Sequence, residues 1–218
     1  MASVRISAGG IVLCGGQSKR MGRPKAWLPF GGETMLQRVV RVLAEVVHPI
    51  VVVAAPEQDV PPLPPDALLT RDEEKGRGPL QGLLAGLKVL SNQVEAAYLS
   101  SCDVPFLRPA FVRRMLELLE DRAICVPYVD GYHHPMAAVY RTGIVDLVAR
   151  QLAENRLRPI FLFETVSTRI VEAQEFGDVD PSLQSLRNLN TLLDYEEAMR
   201  LFASKMDKRK IDPPHDER

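Results

Sequence analysis

The sequence is poor in cysteine, in net charge and in long apolar runs. Its three cysteines, Cys14, Cys102 and Cys125, are odd in number and widely separated. That excludes a complete disulfide framework and fits reduced thiols in the cytoplasm. No CxxC pair is present to hold zinc. The formal net charge of -1 argues against a nucleic-acid partner held by bulk electrostatics, so any phosphate site has to be local. The apolar stretches at 11–14 and 50–55 fall far short of the roughly 18 residues that a membrane span needs. Residues 1–10 lack the basic start and apolar core of a secretory signal. A soluble, cytoplasmic protein with no membrane partner is expected. Neither GxxxxGK[ST] nor GxGxxG occurs, which removes a Walker loop and weakens a dinucleotide reading.

What is present is an alternation of short β-rich runs with helical ones. Strands are expected at 10–13, 50–55, 67–70, 96–100, 124–127 and 135–140, and helices at 35–47, 78–90, 109–120, 143–154 and 192–204. The helix at 35–47 carries apolar residues at steps of three and four, with Thr34 as N-cap. Residues 50–55 are apolar throughout, as in a parallel strand covered on both faces. These features predict an α/β fold: one three-layer α/β/α domain over 1–204 with a mostly parallel central sheet, followed by a charged, disordered tail at 205–218. There are no internal repeats, and the length suits one domain that buries roughly 70% of its unfolded surface.

In such sheets ligands bind beyond the carboxyl ends of the strands. That rule selects three segments together: 14–25, 71–78 and Asp103. In the first, Gly15 and Gly16 leave backbone N–H groups open to phosphate oxygens, while Lys19, Arg20, Arg23 and Lys25 concentrate positive charge. A basic surface turn explains the same residues without a ligand. Asp103 lies just past an apolar strand, where a carboxylate can reach a cleft and hold Mg²⁺ between triphosphate oxygens. Asp72 stands beside Glu73 and Glu74, so an acidic surface turn accounts for it equally well. His133 and His134 are adjacent, point opposite ways on a strand, and have no third ligand at a suitable spacing. Asn190 or Thr191 caps the last helix.

The segment Leu13 to Lys25, read as LxGGxSxRMGxxK, resembles the signature loop of the molybdenum cofactor guanylyltransferases, within the wider nucleotidyltransferase superfamily of Rossmann-like fold. Four later motifs match in order: Gly78-Pro79-Leu80-Gln81-Gly82, Ser101-Cys102-Asp103-Val104-Pro105-Phe106, His134-Pro135 and Asn188-Leu189-Asn190-Thr191. The resemblance implies transfer of GMP from GTP to molybdopterin with release of pyrophosphate. It implies Lys25 and Asp103 as catalytic residues, with Asp103 holding Mg²⁺. It also implies a nucleotide site of Leu13, Cys14, Gly15, Gly16, Arg20, Lys25, Asp72, Gly78, Gly82 and Asp103, with His134 and Asn190 on the acceptor side. Partners would be other proteins of the cofactor pathway, and the oligomeric state stays open. Two departures bear on specificity: Pro24 stands where the family commonly has Asp, and Ala54-Ala55 where close relatives have Asn. The Gly15-Gly16 pair is closer to the guanylyl than to the cytidylyl branch. The rival readings are a nucleotidyltransferase using CTP or another phosphorylated acceptor, such as a sugar 1-phosphate, and a non-catalytic nucleotide-binding adaptor.

Overall fold

The structure, a computed structural model, describes residues 6–15, 24–73 and 76–211. Its first strand, β1 (Ala8–Leu13), lies at the centre of an eight-stranded sheet. A small hairpin follows, β2 (Pro29–Phe30) with β3 (Glu33–Thr34), and leads into α1 (Met35–Ala44). Thr34 caps that helix as expected: its hydroxyl accepts from the Gln37 N–H, and the Gln37 side chain returns to the Thr34 N–H. This reciprocal arrangement satisfies two backbone donors that the first turn otherwise leaves open.

The chain then forms β4 (Ile50–Ala54), β5 (Ala67–Arg71), α2 (Gly78–Leu90), β6 (Ala96–Ser101), α3 (Pro109–Glu117), β7 (Ile124–Val129), β8 (Tyr132–His133), β9 (Val139–Arg141), α4 (Val145–Ala153), α5 (Ile160–Phe163), β10 (Thr168–Glu172) and α6 (Leu192–Ile211). The sheet order is β10-β7-β9-β6-β1-β4-β5, with β8 paired to β7. Strands β4 and β6 flank β1 in parallel, β5 continues on β4 in parallel, and β10 is parallel to β7. Strand β9 runs antiparallel between β6 and β7. The sheet is therefore mostly parallel, as the alternation predicted, with one reversed strand in its middle.

Two apolar clusters fill the space on either side of the sheet. One contains Val12, Val52 and Tyr98 with residues of α1 and α3; the other contains Ile11, Val53 and Leu99 with residues of α2 and α4. Neighbouring strand residues go to opposite clusters because side chains alternate across a strand. A third cluster joins Phe30, Met35 and Phe106 to Leu189 and Ala198, so that α6 packs on the β2–β3 hairpin.

Two expectations need correction. The last helix does not end at Ser204 but runs to Ile211, so the boundary placed there falls inside a helix. The segment 135–140 is not one strand: Pro135–Ala137 forms a 3-10 turn and β9 begins only at Val139. Of the two cap candidates for α6, Thr191 is the cap: its hydroxyl accepts from the Asp194 N–H and the Asp194 carboxylate accepts from the Thr191 N–H.

Candidate active site

The parallel register pairs Leu13 with Ser101 at the ends of β1 and β6. One residue further on, the Cys102 N–H donates to the Leu13 carbonyl, so Cys14 and Cys102 lie side by side and the chain segments leading to Gly15 and Asp103 leave the sheet together. A cleft of about 450 Å³ opens there. Its lining includes Leu13, Cys14, Gly15, Lys25, Asp72, Gly78, Gly82 and Asp103, eight residues that the sequence singled out. Gly16 and Arg20, also singled out, lie outside the described residues.

Lys25 reaches the cleft from a 3-10 turn, Lys25–Trp27, that Pro24 precedes in an extended conformation. Proline fixes the entry into that turn, and the Trp27 indole N–H donates to the Asp59 carbonyl and anchors it. The Lys25 Nζ lies 2.6 Å from Asp103 Oδ2 and 2.9 Å from Asn190 Oδ1. On the other carboxylate oxygen, Asp103 Oδ1 accepts from the Ser101 hydroxyl at 2.5 Å and from the Asn188 amide at 2.9 Å. Both oxygens of a largely buried carboxylate are thus held by named donors, which fixes its orientation before any ligand arrives.

The two asparagines come from one extended segment. Leu189 between them is fully buried, and its N–H donates to the Asp103 carbonyl at 3.0 Å. With Leu189 turned into the core, Asn188 reaches Asp103 and Asn190 reaches Lys25. Asp180, also fully buried, accepts from the Ser185 N–H and pairs with Arg108 at 3.3 Å, and so braces the loop that leads into this segment.

At the same cleft α2 begins with Gly78 and Pro79, and among the described residues no side chain caps its first turn. Its open backbone N–H groups and positive dipole end suit an anionic ligand. Gly78 has φ +72, a left-handed conformation that favours glycine. Gly82 serves a different end: a Cβ there would stand 2.8 Å from a Leu13 methyl, so its absence lets α2 approach β1. At Gly15 a Cβ would meet nothing nearer than 3.4 Å. The surrounding protein tolerates a side chain at that point, and the open space faces the cleft.

The family described as MobA-like NTP transferase domain matches residues 10–168 of the chain. The chain belongs to this family. Among curated relatives, one from Desulfosudis oleivorans, named molybdenum cofactor guanylyltransferase, is 33% identical over 87% of this chain and 93% of its own length. One from Mycobacterium avium, named "probable molybdenum cofactor guanylyltransferase", is 36% identical over 85% of this chain and 91% of its own length. Among solved structures, molybdopterin-guanine dinucleotide biosynthesis protein A from Archaeoglobus fulgidus superposes with a TM-score of 0.76 at 22% identity, covering 91% of this chain and all of the other. That likeness shows the nucleotidyltransferase-like fold, and the family makes the chain a nucleotidyltransferase.

Asp72 follows β5 directly, and its N–H donates to the Ala54 carbonyl. Its Oδ1 is buried with no hydrogen-bond partner among the described residues. Burial raises its carboxyl above the usual range. A buried acceptor without a donor is costly, and the residue lines the cleft. An acidic surface turn does not describe it.

His134 is not among the cleft residues; Met136, two positions on, is. Burial lowers the His134 imidazole, and its backbone N–H donates to the Pro127 carbonyl. Among the described residues, no group of three or more His, Cys, Asp or Glu side chains is placed to hold a metal. Gln58 accepts from the Ala55 N–H and donates to the Cys14 carbonyl, tying β4 to the loop after β1. Cys14 and Cys102 line the cleft floor, yet burial pushes the Cys14 thiol up to about 12 and raises Cys102 as well. Neither is a ready nucleophile at neutral pH.

Ser101, Asn188, Gln58 and Met136 were not selected as site residues from sequence. Ser101 and Asn188 were visible within their motifs. A glutamine in a proline-rich loop carries no such signal.

Proposed function

We propose that this chain transfers GMP from GTP to the phosphate of molybdopterin, forming molybdopterin guanine dinucleotide and pyrophosphate, in the cytoplasm and with Mg²⁺. The convergence of Lys25 and Asp103 in one cleft with Gly15 and the uncapped start of α2 carries this reading. A polyphosphate laid there meets fixed positive charge from the lysine, backbone N–H groups, and a carboxylate suited to a metal.

The donor set fits magnesium. Asp103 is one oriented carboxylate, and Mg²⁺ takes one or two carboxylates and completes its shell with phosphate oxygens and water. Bound there, the ion supplies positive charge at the triphosphate. The chain's own residues do the rest. Ser101 and Asn188 hold Asp103, while Asn190 keeps Lys25 over the phosphates. Lys25 and the backbone amides stabilise the charge that develops as an acceptor phosphate oxygen bonds to the α-phosphorus and the bond from that phosphorus to the leaving pyrophosphate breaks. No covalent enzyme intermediate is needed.

Asp72 supports guanine as the base. Its carboxylate lines the cleft and can accept from the ring and exocyclic N–H groups on one edge of guanine, an edge that adenine and cytosine do not share. The test is pyrophosphate release with GTP, CTP or UTP, with Mg²⁺ and molybdopterin. Release that depends on both GTP and molybdopterin supports the reading, and equal turnover with CTP removes the assignment to guanine. Nucleotide binding without any release favours the adaptor.

A further inference from the structure

Beside the cleft lies a group of aromatic rings that the transfer chemistry does not use. Tyr128 and His133 pair across β7 and β8, with ring centroids 4.9 Å apart. On its other side His133 meets Phe163 of α5, at 5.3 Å. The three rings form a row, and all three are half-buried. Tyr132, next to His133, is 73% exposed. The half of each ring left open offers aromatic surface to a flat ligand.

The position of the row supplies such a ligand. Through β9, Tyr98 of β6 and Cys125 of β7 both pair with Val139, so the two strands stand level there. Three residues further along each, Ser101 ends β6 at the cleft and Tyr128 stands on β7. Two strand spacings separate β6 from β7, about 10 Å. Strand β9 stops at Val139, and the 3-10 turn Pro135–Ala137 fills the gap between them. Met136 of that turn lines the cleft and packs into the same apolar cluster as Phe163. Met136 thus stands between the Asp103 end of the cleft on β6 and the strand that carries Tyr128.

From this geometry we infer that Tyr128, His133 and Phe163, with successive rings tilted by 55° and 49°, form an aromatic wall for the planar ring system of the acceptor, a fused nitrogen heterocycle whose phosphate lies on the β6 side near Lys25 and Asp103. The acceptor ring stacks face-on to one ring of the wall and edge-on to its neighbours. The inference rests on the proposed transfer to a pterin phosphate and adds the place where the pterin sits. Flat heteroaromatic rings stack on aromatic side chains whatever their edge pattern. The wall thus gives the acceptor affinity and direction, while the phosphate sites set the reacting distance.

The experiment uses the full chain and neopterin monophosphate as probe, read by quenching of the pterin fluorescence, with glycerol phosphate as the ring-free control. Wild type is expected to bind the pterin phosphate and not the control. His133→Ala and Phe163→Leu are each expected to weaken it about tenfold, in line with the worth of one stacking contact. His133→Phe restores the ring and the binding. GTP affinity, measured in parallel, is expected to be unchanged in all three, which also shows that the variants are folded. No quenching by wild type, or wild-type pterin affinity in both His133→Ala and Phe163→Leu, overturns the wall. If wild type makes the dinucleotide while those variants keep the wild-type acceptor KM, the wall is wrong and the transfer stands. If wild type releases no pyrophosphate with GTP and molybdopterin, the transfer is wrong, and the binding data still decide whether the wall exists.

Discussion

Lys25 and Asp103, 78 positions apart in sequence, meet at 2.6 Å at the mouth of the central strands. Each carries a second constraint, Asn190 on the lysine and the Ser101–Asn188 pair on the carboxylate. The pair is therefore preorganised, and its opposite charges offset each other.

Replacing either member is expected to remove most activity and leave the fold intact. Lys25→Ala and Asp103→Asn should each lower kcat/KM on the order of a hundredfold or more, the scale of losing one preorganised charge-stabilising group. Pyrophosphate release together with thermal unfolding checks this. Activity near wild type in either variant contradicts the assignment.

Asn188 donates to Asp103 and to the Ser101 hydroxyl that also holds it, whereas Asn190 accepts from Lys25, and the two should separate kinetically. Asn188→Ala frees the carboxylate and is expected to raise the Mg²⁺ concentration needed for half-maximal rate by about tenfold, the upper range for losing a group that orients a metal ligand being larger still. Asn190→Ala should leave that magnesium requirement nearly unchanged and lower kcat. A magnesium titration of both variants reads the difference.

Asp72 makes a prediction about pH. Its folded-state carboxyl is raised above the unfolded value by burial. Ionising it in the folded protein therefore costs stability. The cost is absent below the unfolded value of about 4 and fully present above the raised folded value. Asp72→Asn should thus unfold at a higher temperature than wild type near pH 7.5, with the gap closing toward pH 4. The same substitution removes an acceptor for guanine N–H groups and should lower the preference for GTP over other triphosphates by about a hundredfold. Scanning calorimetry at several pH values and a comparison of triphosphates check the two halves.

The approach of α2 to β1 depends on a residue without a side chain. A Cβ at Gly86 would lie 2.6 Å from Ile11, which is fully buried. Gly86→Ala is expected to destabilise the fold by about 1–3 kcal/mol through overpacking, with GTP affinity unchanged, since Gly86 is not among the cleft residues. Chemical denaturation and nucleotide titration distinguish this from an effect on the site.

Much of the site was legible because parallel strands announce themselves. The apolar runs at β1, β4 and β6 end in Gly15, Ala55 and Asp103, and chemistry gathers at those ends. Less legible was anything set by tertiary pairing. The residues Val139–Arg141 have strand propensity but no local mark of direction, and only their place between β6 and β7 makes β9 antiparallel. Asn190 and Thr191 are equally good cap residues by type, and local sequence leaves the choice open; the buried Leu189 turns the Asn190 side chain to Lys25 and Thr191 is left as the cap. The end of α6 was placed too early because residues 205–211 are highly charged, a composition that also suits an exposed helix.

The central claim, that one polyphosphate bridges Lys25 and Asp103, is tested most directly by calorimetric titration of GTP with and without Mg²⁺ into wild type and Asp103→Asn. Wild type should bind GTP at least about tenfold more tightly with Mg²⁺, as loss of a charge-assisted contact implies, and Asp103→Asn should show no magnesium effect. An undiminished magnesium effect in Asp103→Asn would contradict the account.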